Sequence, residues 1–149
     1  MLLDCRGIGA RDHLPELRGV RGEMLLLESA DIALARPVRL LHPRGLVYLV
    51  PRGGGRFMLG GTALESADTG PVSARSAMQL LNGAYALHPA FAEARILELG
   101  AGLRPAFPDN LPRLFRRDGR WHLNGLYRHG FLLAPALARQ ARAALTGDC

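Results

Sequence analysis

Residues 45–63, GLVYLVPRGGGRFMLGGTA, leave the chain little choice of fold. Two short segments rich in Val, Leu, Tyr and Phe flank three consecutive glycines. Each is too short for a helix of its own, and the glycines are a strong turn signal. A β-hairpin is predicted, with strands over 45–52 and 56–63. A lone hairpin is barely stable in water, so it needs a larger sheet to join.

The candidates for that sheet are close by. VRGEMLLLES (20–29) reads as a strand, and so does PVRLLHP (37–43), bracketed by Pro37 and Pro43. MLLDC at the start reads as a short buried strand ending at Gly7, and RDHLPELRG as a loop or a single helical turn. Residues 73–89 place Ala77, Leu80, Leu81, Ala84 and Leu87 at helical spacing, with Ser73 as N-cap and Pro89 as the stop. ARILELGAGLRP (94–105) reads as a strand running into a glycine-containing bend over 100–105, and FPDNLP as a loop. Two short strands are expected around Asp118-Gly119, then a C-terminal helix in GFLLAPALARQARAAL. The expected fold class is α+β: a mainly antiparallel sheet with one packed helix and a C-terminal helix, as a single domain over 1–149.

Composition narrows the function classes. The 149 residues carry a formal charge of +6, and every basic side chain other than histidine is arginine. The arginines are scattered and are not interleaved with aromatics, so nucleic-acid binding is electrostatically open but has no motif behind it. No apolar run is long enough to span a bilayer. The start meets charge at its fourth residue, so no secretory signal is read there and a cytoplasmic location is expected. Cys5 and Cys149 lie at opposite ends and form neither a disulfide framework nor a metal spacing. His13, His42, His88 and His122 are expected in loops or at the surface, with no metal site among them. Glu98 and Asp109 are isolated carboxylates with no partner readable from sequence.

YRHGFLLAP (127–135) raises a separate question, because proline damages a helix interior. Proline is tolerated in the first turn, so Pro135 places a helix start near Leu132–Ala134. The N–H groups of Gly130, Phe131, Leu132 and Leu133 would then point outward at the positive end of the helix dipole, with Arg128 just upstream. This suits an anion or an electron-rich heteroatom. A water-capped helix beside a surface arginine is the alternative.

Taken in order, VYLVPRGGGRFMLGGT, AGLRPAFPDNLP and YRHGFLLAP, with VRGEMLLLE and DCRGIGAR, resemble the C-terminal half of FAD-dependent oxidases of the D-amino-acid oxidase family. Within that family the resemblance is to glycine oxidase, the flavoenzyme associated with thiamine biosynthesis. It covers nearly the whole chain. It implies that residues 20–99 form the substrate-binding domain, and that 1–10 and 100–149 return to the FAD-binding domain. The tyrosine of the family's Y-hydrophobic-V-P-R strand falls on Tyr48, the arginine of its G-L-R-P bend on Arg104, and the arginine before its final helix on Arg128. Gly102, Arg128, Gly130, Phe131, Leu132 and Leu133 fall at the flavin. Two positions depart: Ala63 stands where glycine oxidase often has methionine, implying a roomier pocket, and His129 stands where the family has asparagine.

The implied chemistry has physical reasons. An arginine fork grips a carboxylate at two points and fixes how the neighbouring Cα–H is presented. Arg104 is assigned that fork, and the Tyr48 hydroxyl a hydrogen bond to the same carboxylate. Oxidation of an amine to an imine with oxygen going to hydrogen peroxide follows from the family. On spacing alone, Tyr48 is equally an ordinary strand aromatic and Arg104 an ion-pair partner.

The family's Rossmann unit, with its G-x-G-x-x-G turn, has no counterpart here; RGGGR lies in a hairpin. The expected cofactor, FAD, therefore lacks its pyrophosphate and adenine sites, and the isolated chain is expected to be inactive or nearly so. The expected partners are a small amino-acid or amine substrate, an N-terminal FAD-domain chain, and further copies in a homo-oligomer, since faces that pack on the missing part would be bare apolar surface. A non-catalytic interaction domain that keeps the fold is the reading from a different class.

Overall fold

A computed structural model describes residues 1–42 and 45–147. Pro43 and Cys149, both used above, lie outside them. The chain divides into two compact units. One comprises residues 1–20, 65–67 and 103–149, the other 21–64 and 68–102.

The second unit holds most of a five-stranded sheet. Its strands are β2 (Arg18–Glu28), β3 (Val38–His42), β4 (Gly45–Gly53), β5 (Arg56–Gly60) and β6 (Arg95–Ala106), in the spatial order β3-β4-β5-β2-β6. The predicted hairpin is β4–β5, with Leu49 opposite Leu59 and a register shift between Pro51 and Gly53. Gly53, Gly54 and Gly55 all have positive φ, which is why side chains are missing from the tip. β3–β4 and β2–β5 are also antiparallel.

Period-two alternation splits these strands into two faces. Leu25, Leu27, Val47, Leu49, Phe57 and Leu59 point inward and form a core with Leu80 and Ala84 of the helix α1 (Ala74–Leu87). α1 starts as predicted: the Ser73 hydroxyl accepts from the Ser76 N–H. Gly83 lets α1 sit close, since a Cβ there would come within 2.7 Å of Val47. After α1, Pro89 opens a short 3-10 helix, Pro89–Glu93, that puts Phe91 edge-on to Phe57.

The first unit contains β1 (Leu3–Asp4), β7 (Arg113–Arg117) and β8 (Arg120–Asn124), with β1 parallel to β8 and β7 antiparallel to it. Ala10, Leu14, Leu17 and Phe107 form its core. Its helix α2 spans Gly130–Thr146.

Several expectations are corrected. No bend interrupts residues 100–105: β6 continues to Ala106, because pairing along the neighbouring strand overrides the local freedom of Gly100 and Gly102. The opening strand is only Leu3–Asp4, with Met1 and Leu2 exposed, and Gly7–Asp12 form a 3-10 helix. α2 begins at Gly130, not near Leu132–Ala134, so Pro135 is its sixth residue and lies inside the helix. Its ring deprives the Phe131 carbonyl of the usual partner four residues on. His122 is not at the surface: it is 1% exposed, on β8 between two neighbouring strands. Asp109 is not isolated, because Arg113 pairs with it at 2.6 Å.

Candidate functional site

In the first unit, the backbone N–H of Tyr127 donates to the Pro105 carbonyl at 3.1 Å. The end of β6, with half-buried Arg104, thus lies beside the turn that carries exposed Arg128. That turn is built by Gly125 and Tyr127, both at positive φ. Gly125 is obligatory on steric grounds as well, for a Cβ there would stand 2.4 Å from the Phe107 ring. Tyr127 has no glycine's freedom at φ 49°, and Arg18 lies over its ring, 6.0 Å from the centroid. Arg18 in turn bonds Glu65 and Asn110.

The turn delivers the start of α2 with little to block it. His129 is the N-cap and makes no side-chain cap bond, and the first turn carries no acid. Leu133 donates to the His129 carbonyl at 2.9 Å, so its N–H is used within the helix. The outward donors are therefore those of Gly130, Phe131 and Leu132, one fewer than the sequence implied. Phe131 and Leu132 are exposed, and Leu133 is half-buried. Bare N–H groups with Arg128 and His129 just upstream are suited to electron-rich atoms, and the residues present fit the pyrimidine edge of a flavin.

In the second unit, Tyr48 occupies the outward face of β4. It lies in one cross-strand row with Gly60 and Met24, whose Cα positions are paired in the ladder. Its ring crosses the Gly60 backbone, where a Cβ would stand 2.6 Å from the ring carbon and hydroxyl. Its hydroxyl reaches the Met24 sulfur at 3.6 Å. Glycine at 60 is thus what allows the phenol to lie flat across the sheet. Gly102 is an exposed position of β6 in the same unit.

On the inward face behind this row is a polar network that the sequence reading missed. Glu23 and Arg21 are 0% and 3% exposed and paired at 3.0 Å. The Thr62 hydroxyl donates to Glu23 at 3.0 Å and accepts from the Glu23 N–H at 2.9 Å. The Ser73 N–H also points at Glu23, and Arg21 bonds the carbonyls of Asp68 and Pro71 at 2.8 and 2.6 Å. Burial pushes the Glu23 carboxyl up, and hydrogen bonds from Ser76, Arg21 and Thr62 outweigh it, leaving the group below its ordinary value. An Arg-x-Glu step in the inward row of a strand is the signal that could have revealed the pair.

A second buried group missed by sequence is Asp4. The Arg6 guanidinium forks onto it at 2.8–3.1 Å and holds its carboxyl at about 2, against the upward push of burial. Its register neighbour His122 brings Nδ1 within 3.9 Å of it. Among the described residues no group of three or more His, Cys, Asp or Glu could hold a metal, and no helix is long and apolar enough to cross a membrane.

Comparison with known proteins settles the family. Residues 2–144 match the profile of the DAO family, described as FAD dependent oxidoreductases. The chain belongs to this family. It is 60% identical over 146 residues to a ThiO oxidoreductase of Rhizobium etli named for thiamine biosynthesis, covering 97% of this chain and 45% of that protein. It is 32% identical over 136 residues to the glycine oxidase of Geobacillus kaustophilus, covering 86% of this chain and 34% of the other. The chain thus spans less than half the length of these curated relatives. Among solved structures, the glycine oxidase of Geobacillus kaustophilus superposes with a TM-score of 0.74 at 28% identity, over 86% of this chain and 35% of that one. The iminodiacetate oxidase of Chelativorans sp. BNC1 superposes with a TM-score of 0.83 over 99% of this chain and 42% of that one; at 22% identity it speaks for the DAO fold alone.

Proposed function

We propose that this chain is the substrate-binding, C-terminal portion of a glycine oxidase-like enzyme that oxidises a small amino acid or amine to its imine and reduces oxygen to hydrogen peroxide. The observation that carries this reading is the Tyr127–Pro105 bond, which sets the strand end bearing Arg104 beside the turn bearing Arg128 and the open start of α2.

FAD, when bound, supplies the two-electron acceptor that passes electrons on to oxygen. The chain's own residues do the positioning. Arg104 holds the substrate carboxylate in its fork. In the second unit the Tyr48 hydroxyl, turned from the weak sulfur acceptor of Met24, is a donor of the kind a carboxylate takes. The N–H groups of Gly130, Phe131 and Leu132 and the charge of Arg128 stabilise negative charge that develops at the flavin's edge. Leu133 completes the flavin's surroundings on the side of α2. The FAD pyrophosphate and adenine call for the family's Rossmann unit, whose G-x-G-x-x-G turn is not among these 149 residues, so turnover by this segment is proposed to depend on such a unit. Exposed Ile96, Leu97, Leu99, Phe131 and Leu132 are surface suited to such packing.

The test co-expresses this chain with the N-terminal part of the Rhizobium etli relative and follows the flavin absorbance and peroxide release from glycine. The assembled protein should bind flavin and turn over, and the chain alone should do neither. Arg104→Ala should keep the flavin band and lose turnover by about 100-fold or more. Unchanged turnover in that variant would refute the fork.

A further inference from the structure

On the outward face of the five-stranded sheet, strand register sets one donor against one sulfur. Met24 of β2, Gly60 of β5 and Tyr48 of β4 form a single cross-strand row. The bare glycine lets the phenol lie across that row, with its hydroxyl 3.6 Å from the Met24 sulfur. Met24 is half-buried and lines a hollow of about 240 Å³ in the sheet surface. We propose that Met24 is an oxidative modification site, converted by hydrogen peroxide to its sulfoxide, and that the new oxygen captures the Tyr48 hydroxyl.

The step balances with peroxide as the only co-reactant. The thioether sulfur attacks one peroxide oxygen, and the S–O bond forms as the O–O bond breaks. The departing hydroxide takes the proton of the transferred oxygen and becomes water. Sulfur loses two electrons and peroxide gains them. Negative charge builds on the departing oxygen, and a hydroxyl held beside the sulfur is placed to donate to it. Two water-sized volumes of about 30 Å³ each are enough for hydrogen peroxide, so the hollow admits it.

The geometry of the product singles out this methionine. A sulfoxide S–O bond is about 1.5 Å long and a good O–H···O bond about 2.7 Å. These two legs span the observed 3.6 Å when they meet at about 115° on the sulfoxide oxygen, near its lone-pair direction. Tyr48 thus exchanges a weak sulfur acceptor for a strong oxygen without moving. The neighbouring pair does not fit. An Arg52 nitrogen lies 3.3 Å from the Met58 sulfur, and an N–H···O leg of about 2.9 Å closes that span at about 92°, well off the lone pair. Where the chain works as the oxidase proposed above, peroxide is its own product, and the capture withholds the Tyr48 hydroxyl from a carboxylate. That consequence rests on the oxidase reading; the modification itself does not.

The test uses the full chain with added peroxide and needs neither flavin nor turnover, so its failure is distinct from failure of the oxidase reading. The folded chain is treated with millimolar hydrogen peroxide and cleaved at its arginines, which leaves its four methionines on four separate peptides. A sulfoxide sulfur is a stereocentre that survives cleavage, and two reductases read its two epimers, one each. Only one epimer turns its oxygen to the hydroxyl, so the Met24 peptide should carry one epimer in about nine of ten copies or more. Tyr48→Phe keeps the ring and removes the donor. It should bring back both epimers at Met24 and slow Met24 oxidation about fivefold, measured against exposed Met78 in the same chain. An even mixture at Met24 in the parent, the same single epimer in Tyr48→Phe, or faster Met24 oxidation in that variant would overturn the proposal. So would an unoxidised Met24 under conditions that convert Met78. The same single epimer from a chain oxidised in denaturant would trace the bias to local sequence and overturn it too.

Discussion

The Tyr127 N–H and the Pro105 carbonyl are joined at 3.1 Å, although 22 positions separate the two residues in the chain. The bond holds only while the turn before Tyr127 keeps its shape, and that shape depends on Gly125. Gly125→Ala would force a left-handed alanine and drive its Cβ into Phe107. The expected cost is about 3 kcal/mol, read by denaturant unfolding. A variant as stable as the parent would show that the turn is not fixed by this glycine.

Glu23→Ala should be among the most damaging single changes in the second unit. It removes the buried partner of the Arg21 guanidinium, leaving it the Asp68 carboxylate at 3.3 Å and two carbonyls, and should cost about 3 kcal/mol. Replacing both partners by apolar residues of similar volume, as in Arg21→Met with Glu23→Leu, should recover much of that loss. If the double variant is no better than Glu23→Ala, loss of the buried partner of Arg21 is not the cause.

Acid should act through Asp4. Its folded-state value of about 2 lies below the ordinary carboxylate value of about 3.9. The stability it contributes is therefore fully present above about pH 4 and is lost as the pH falls toward 2. Asp4→Asn should flatten this part of the stability–pH curve. An unchanged slope between pH 4 and 2 would mean that Asp4 is not held by Arg6.

Pro135→Ala should stabilise α2, because it restores a hydrogen bond to the Phe131 carbonyl and removes a steric clash. A gain of up to about 3 kcal/mol is expected in unfolding measurements. A loss would mean that the helix starts later than Gly130.

Local signals carried the fold where they were strong. Three glycines between two apolar runs gave the β4–β5 hairpin, and Ser73 with Pro89 bounded α1 to within two residues. Glycine and proline misled where a neighbour overruled them. Gly100 and Gly102 read as a bend, yet the adjacent strand keeps β6 extended. Pro135 read as a first-turn residue, yet α2 continues back through five residues before it. The motif residues Tyr48, Arg104 and Arg128 were legible one at a time. What surrounds them was not, because the Tyr48–Met24 contact joins residues 24 positions apart and the Glu23–Thr62 bond residues 39 apart. No periodic pattern records such pairs.

The Glu23 carboxylate gathers donors from β2, from the segment after β5 and from the entry to α1. None of these three can swing away without stranding a buried charge. Their amides should therefore exchange with solvent through one shared opening, at one common protection level, instead of fraying strand by strand.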